Sequence, residues 1–274
     1  MAESRRRLIA VADDFGASRE VNEAVRLAHK EGILTCASLM VAEPAAEEAV
    51  ALAKASPALG IGLHLTLVRG RSALPPGRKR GLTDASGKLE TNPVRAGLRF
   101  FFQRELRADL EREIDAQFKA FAATGLRLDH VNGHLNIHLH PTVFHILLGR
   151  SETGRAGFRL TRDDFFLSCR LARGRWGYRI SHAIIFGALA AWARPRLRRR
   201  GVPHARRVFG LLETSAVNER RLCRLLPKLP RGVSEFYCHP SIEKGKAELE
   251  ALVSPAVKRR IRELEIELIR YQDL

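Results

Sequence analysis

Short apolar runs alternate with helix-period segments along this chain, and that alternation narrows the folds open to it. Leu8 to Ala12, Thr35 to Val41 and Gly60 to Val68 have strand length and near-continuous hydrophobicity, as expected of strands buried on both faces. Between them, Ser18 caps a helix carrying Val21, Val25 and Ala28 at helical spacing, which Gly32 stops. Ala45 to Ala55 forms a second helix, broken by Pro57. Arg104 to Thr124 is a long amphipathic helix with Leu110, Ile114, Phe118 and Phe121 on one face. Arg127 to Val131, Val208 to Leu212 and Ser234 to Cys238 are later strands, and Pro141 to Leu148 begins another helix. Ser254-Pro255 opens a terminal helix with Val257, Ile261, Leu264 and Leu268. Such alternation predicts βαβ units, a mostly parallel sheet and an α/β fold, and 274 residues suit a single barrel domain over 1–274. Arg69 to Asn92 reads as a loop. Residues 150–207 read as a basic-apolar insertion or flanking helical segment.

Parallel α/β folds place their sites after the strands, and four polar clusters fall there. Asp13 and Asp14 follow the first strand; strand alternation points them to opposite sides, so they can take different jobs. His64 lies in the third strand, where a lone histidine is more often a satisfied core residue and gains weight only by converging with the other clusters. His130, His134, His138 and His140 crowd into eleven residues, and each buried imidazole needs a hydrogen-bond partner or a metal. His239 ends a late strand just before Pro240, where it could donate a proton. GxSxG, Walker A, GxGxxG and HExxH patterns are absent, which removes support for serine-hydrolase, P-loop, dinucleotide and zincin chemistry.

The net charge of +17 is concentrated: residues 150–207 hold 15 Arg against Glu152, Asp163 and Asp164. Within that stretch, Trp176 to Trp192 is apolar, with Ile185, Leu189 and Trp192 at helical spacing. Arg173, Arg175 and Arg179 flank its start, and Arg194, Arg196, Arg198, Arg199 and Arg200 its end. Basic flanks with aromatic ends fit an interfacial segment docking on anionic lipid, and equally a core helix with a basic rim. Nucleic acid is not the expected partner, because no aromatic residues interleave with the arginines as a stacking platform needs. Four scattered cysteines without CxxC spacing, no signal peptide and no spanning helix point to the cytoplasm, with peripheral contact on the inner membrane face. A homodimer is compatible with the sequence.

Taken together, Ala12-Asp13-Asp14-Phe15-Gly16, Gly62-Leu63-His64-Leu65, Asn132-Gly133-His134 and Cys238-His239-Pro240 resemble the YdjC-like carbohydrate deacetylases in order and context. Val21-Asn22-Glu23-Ala24, Phe100-Phe101-Phe102 and His138-Leu139-His140-Pro141 look closest to the hopanoid-biosynthesis-associated branch. The resemblance implies a deformed TIM-barrel-like fold and removal of N-acetyl groups from amino sugars with one divalent metal ion, Mg²⁺ or Zn²⁺. It implies Asp14, His64 and His134 as metal ligands, Asp13 as general base and His239 as acid or transition-state stabiliser. Many relatives carry further histidines where this chain has Leu135 and Asn136, and no role follows for His130, His138 or His140. The branch implies an amino-sugar lipid substrate, a hopanoid bearing N-acetylglucosamine. The readings it competes with are a soluble chito-oligosaccharide deacetylase and a non-catalytic membrane-binding protein.

Overall fold

The computed structural model describes residues 5–75, 81–171, 174–212 and 217–274. Arg173 of the basic flank and residues 76–80 of the loop lie outside them. The strands are β1 (Arg6–Phe15), β2 (Cys36–Leu39), β3 (Gly60–Leu65), β4 (Leu128–Gly133), β5 (Gly157–Phe158), β6 (Arg207–Phe209), β7 (Gly232–Cys238) and β8 (Glu267–Leu268). The helices are α1 (Arg19–Glu31), α2 (Ala46–Lys54), α3 (Pro93–Phe102), α4 (Leu106–Ala123), α5 (Pro141–Leu148), α6 (Ser151–Arg155), α7 (Phe165–Leu171), α8 (Trp176–Arg199), α9 (Glu219–Leu225), α10 (Lys246–Val253) and α11 (Pro255–Glu263).

Seven parallel strands in the order β5-β4-β3-β2-β1-β7-β6 curl into a half-barrel, the deformed TIM-barrel-like form expected. The edge strands β5 and β6 share no ladder. Two main-chain hydrogen bonds bridge the gap, from Phe158 N to Pro203 O at 2.8 Å and from Val208 N to Arg162 O at 3.3 Å. β1 is the longest strand and pairs with β2, β7 and β8, and its Leu8 to Ala12 are fully buried. Leu8 and Ala12 pack outward against the helical layer, whereas Ile9 and Val11 face the barrel interior with Tyr237 and Tyr271. β8 extends the early half of β1, where β2 does not reach.

The segment between β5 and β6 contains α7 and α8. Trp192 holds α8 to the body through edge contacts with Phe144 and His145, at centroid separations of 5.1 and 5.4 Å. Phe144 is fully buried, so Phe144→Ala would cost about 3–5 kcal/mol. Leu189 and Trp192 therefore belong to the inner side of α8, whereas Ile185 is 51% exposed, like the outer row of Trp176, Ile180 and Ile184. Among the described residues no helix is long and apolar enough to cross a membrane.

Candidate metal centre

Simple alternation would send Asp13 into the barrel and Asp14 into the helical layer. The pairing of β1 with β2 shifts register between Ala12 and Phe15, and Asp14 adopts φ +64°. This left-handed kink turns Asp14 back, so both carboxylates reach one site, which corrects the expectation of opposite sides. His64, on β3, lies against both: its Nε2 is 3.2 Å from Asp14 Oδ1 and its Nδ1 3.9 Å from Asp13 Oδ1.

His64 is oriented by its register neighbour on β4, Asn132. The Asn132 amide nitrogen donates to Ser38 Oγ at 2.8 Å and to Asp13 Oδ1 at 3.1 Å, which leaves its oxygen facing His64 Nδ1 at 2.7 Å. An amide oxygen only accepts, so His64 carries its proton on Nδ1 and presents a lone pair at Nε2. That nitrogen is buried without a hydrogen-bond partner. His134 Nδ1 approaches the same Asp14 oxygen at 2.9 Å, from just after β4. One ligand atom from each of Asp14, His64 and His134 falls within 4.8 Å of the others. Burial would raise the Asp14 carboxyl, but the hydrogen bond from His134 Nδ1 holds it well below the usual range, as an anion. An anionic oxygen beside an orphaned imidazole lone pair and a second imidazole is a donor set that fits one divalent cation.

The largest feature missed in the sequence is Arg159. Fully buried just after β5, it holds Asp13 through Nη1 to Oδ2 at 2.5 Å and Nη2 to Oδ1 at 3.0 Å. Its Nε donates to Glu235 Oε1 at 2.6 Å, and the Tyr271 hydroxyl donates to the other oxygen of Glu235. Its guanidinium also lies over the Tyr237 ring, 4.1 Å from the centroid. Burial pushes the Asp13 carboxyl up, but the charge and hydrogen bonds of Arg159 bring it far below the carboxylate range. A carboxylate offers about four lone-pair sites. Arg159 and Asn132 occupy three, and Asp13 still lines the cavities described next.

Two cavities meet at Asp13, His134, Leu135 and His239. One, of about 610 Å³, is the more polar of the two, with Glu20, Arg69 and Lys244 on its walls. The other, of about 380 Å³, is mostly apolar and runs between α3 and α8 past Val94, Ile185, Phe186 and Leu189. His239 is half-buried, and its main-chain N–H is fixed by Glu248 at 2.5 Å. Leu135 and Asn136 both adopt left-handed φ, 54° and 57°, at the junction. Residues held this way cost of order 1–3 kcal/mol and cluster at functional sites.

The remaining histidines of the cluster are tied up away from the ion site. His138 Nε2 donates to Arg159 O at 2.9 Å, and His140 bonds Gly97 O at 3.1 Å. His130 is fully buried, bonding Asp129 and Ser38, each at 2.9 Å, and stacking on Tyr271. Gly62 leaves room for that ring, since a Cβ there would overlap it. Cys36, Asp129 and His130 also form a compact trio, but Asp129 already accepts from His130, Cys36 and Gln272 N. Burial raises the Cys36 thiol well above its usual range, so it stays protonated and the trio reads as core.

A family profile described as YdjC-like protein matches residues 7–263, nearly the whole chain. The chain belongs to the YdjC-like family. A carbohydrate deacetylase of Vibrio cholerae is 35% identical over 180 residues, 60% of this YdjC-like chain and 68% of that protein. One from Brevibacillus brevis is 39% identical over 153 residues, 56% of this chain. The matched stretch spans 58% of that protein's length. A solved structure from Enterococcus faecalis, proposed as a cellobiose-phosphate cleavage protein, superposes with TM-score 0.76 over 98% of this chain and 99% of its own, at 24% identity. That likeness supports the YdjC-like fold.

Proposed function

We propose that this YdjC-like chain hydrolyses the acetamide of an N-acetylated amino sugar, using one divalent ion held by Asp14, His64 and His134. The observation that carries the reading is the orphaned, lone-pair-bearing His64 Nε2 beside Asp14, next to a carboxylate clamped by Arg159. Relatives named carbohydrate deacetylase support the reaction class. When bound, such an ion polarises the acetamide carbonyl and acidifies water, with Zn²⁺ or Mg²⁺ both suited to an Asp-His-His set. Asp13 accepts the water's proton through its remaining lone pair, a role generally contributing about 10²–10⁴-fold. Arg159 keeps Asp13 ionised and aimed. The amide C–N bond breaks, water's oxygen stays on the acetyl carbon, and His239 protonates the departing amine. The products are acetate and the free amino sugar.

The finer reading is a hopanoid carrying N-acetylglucosamine, supported by the motif resemblance and by the apolar cavity that shares Asp13, His134 and His239 with the polar one. A sugar in the polar cavity and a hydrophobic aglycone in the apolar one would suit an amphiphile. The polar cavity alone favours a second reading, a soluble chito-oligosaccharide. Acetate release from N-acetylglucosaminyl hopanoid in detergent, beside chitobiose, separates them. Release from the lipid at higher kcat/KM supports the finer reading, and release from chitobiose alone supports the soluble one. Release from neither leaves a non-catalytic membrane-binding protein.

A further inference from the structure

We infer that α3 and α8 form a docking face for an anionic phospholipid bilayer, with the apolar cavity between them as a lateral route toward Asp13 and His134. α3 was not expected from the sequence, and its outer face is apolar. Val94, Leu98, Phe101 and Phe102 are 69%, 55%, 58% and 72% exposed, at the i, i+4, i+7, i+8 spacing of one helical stripe. The inward positions Ala96 and Phe100 are apolar and buried as well, so α3 lacks the polar outer face of an ordinary surface helix. α8 repeats the feature, with Trp176, Ile180 and Ile184 exposed at four-residue spacing. Val94 and Ile185 are both exposed and both line the cavity, so the two apolar surfaces meet at its mouth. A contiguous exposed patch of this kind marks an interaction surface.

Charge selects the occupant. Neither helix contains an acid. Arg95, ion-paired with Glu90, stands beside Val94 with its side chain 71% exposed, Arg104 is exposed just after α3, and Arg175, Arg198 and Arg199 are exposed at the ends of α8. A second copy of this chain would oppose arginines to arginines across an isologous contact. An anionic bilayer instead offers phosphates at the depth of the arginines and hydrocarbon beneath, where long basic side chains and an end-placed Trp are favoured. The face is interfacial, since neither helix can span. This docking does not depend on the hydrolysis proposed above, and its test has no catalytic readout.

The test is flotation of the full chain with vesicles of equal phosphatidylglycerol and phosphatidylcholine, and with phosphatidylcholine alone, at low salt. Phe101→Asp/Phe102→Asp and Ile184→Asp are compared, with thermal unfolding to show that each stays folded. We expect flotation with the anionic vesicles, falling about tenfold or more in each variant and on neutral vesicles. No flotation with anionic vesicles, or binding unchanged in both variants, would overturn the inference. So would a solution dimer that Phe101→Asp/Phe102→Asp splits into monomers, because a second copy would then occupy the face.

Discussion

Arg159 grips Asp13 with both terminal nitrogens, at 2.5 and 3.0 Å, while its Nε is committed to Glu235. The fork makes Asp13 an anion of fixed orientation, which a lysine's single ammonium cannot reproduce. Arg159→Lys should lower kcat about 10²-fold or more and leave divalent-ion affinity near wild type, read by steady-state kinetics beside calorimetric titration. Arg159→Met strands two buried carboxylates and should cost about 3–5 kcal/mol in urea unfolding.

Asn132 sets the tautomer that frees His64 Nε2. Asn132→Leu should weaken divalent-ion binding about 10–100-fold, as loss of an outer partner to a metal-binding histidine does. In wild type, an ion at 100 times its Kd should add about 2.7 kcal/mol to stability. That gain should vanish in His134→Ala. A thermal shift that persists in His134→Ala would move the ion to another site.

The residues that were legible in the sequence are those whose type is unusual for their surroundings. Asp13-Asp14 ends an apolar run and His64 interrupts one, so both stood out, and their order with His134 and His239 carried the family. Arg159 did not stand out, because it sits in the most arginine-rich stretch of the chain, where a cation reads as solvated surface. Only its neighbours Phe158 and Leu160, both buried, hinted at a core position. The Asp13-Asp14 pair was read with strict alternation, and a backbone kink at Asp14 defeats that reading. α3 was hidden because Phe100-Phe101-Phe102 shows no polar side. β5 and β8, two residues each, have no pattern to detect.

Tyr271 anchors the far end of the Asp13–Arg159–Glu235 chain and stacks on His130, with ring centroids 4.9 Å apart. Tyr271→Phe keeps the stack and removes the donor to buried Glu235. We expect a loss of about 1–3 kcal/mol in urea unfolding. A loss within error would show that Glu235 does not need the hydroxyl.

Burial, followed by the charge of Arg159, depresses His138 from 6.5 to about 3. Below about pH 6.5 the unfolded chain takes up a proton that the folded chain refuses until about pH 3. This residue therefore costs nothing at pH 7 and lowers stability progressively as pH falls through that window, by about 2 kcal/mol at pH 5. The drop in urea-unfolding free energy between pH 7 and pH 5 should shrink by about that amount in His138→Gln.

The central claim is that Asp14, His64 and His134 hold an ion required for acetamide hydrolysis, with Asp13 as base. Acetate release from an N-acetylglucosamine-bearing substrate should be measured after chelation and again after add-back of Zn²⁺ or Mg²⁺, in wild type, His134→Ala and Asp13→Asn. The account predicts release that disappears on chelation, returns on add-back in wild type, and stays absent in His134→Ala. Asp13→Asn should still bind the ion yet lose about 10²–10⁴-fold in rate. Release that survives chelation, or that His134→Ala retains, would contradict it.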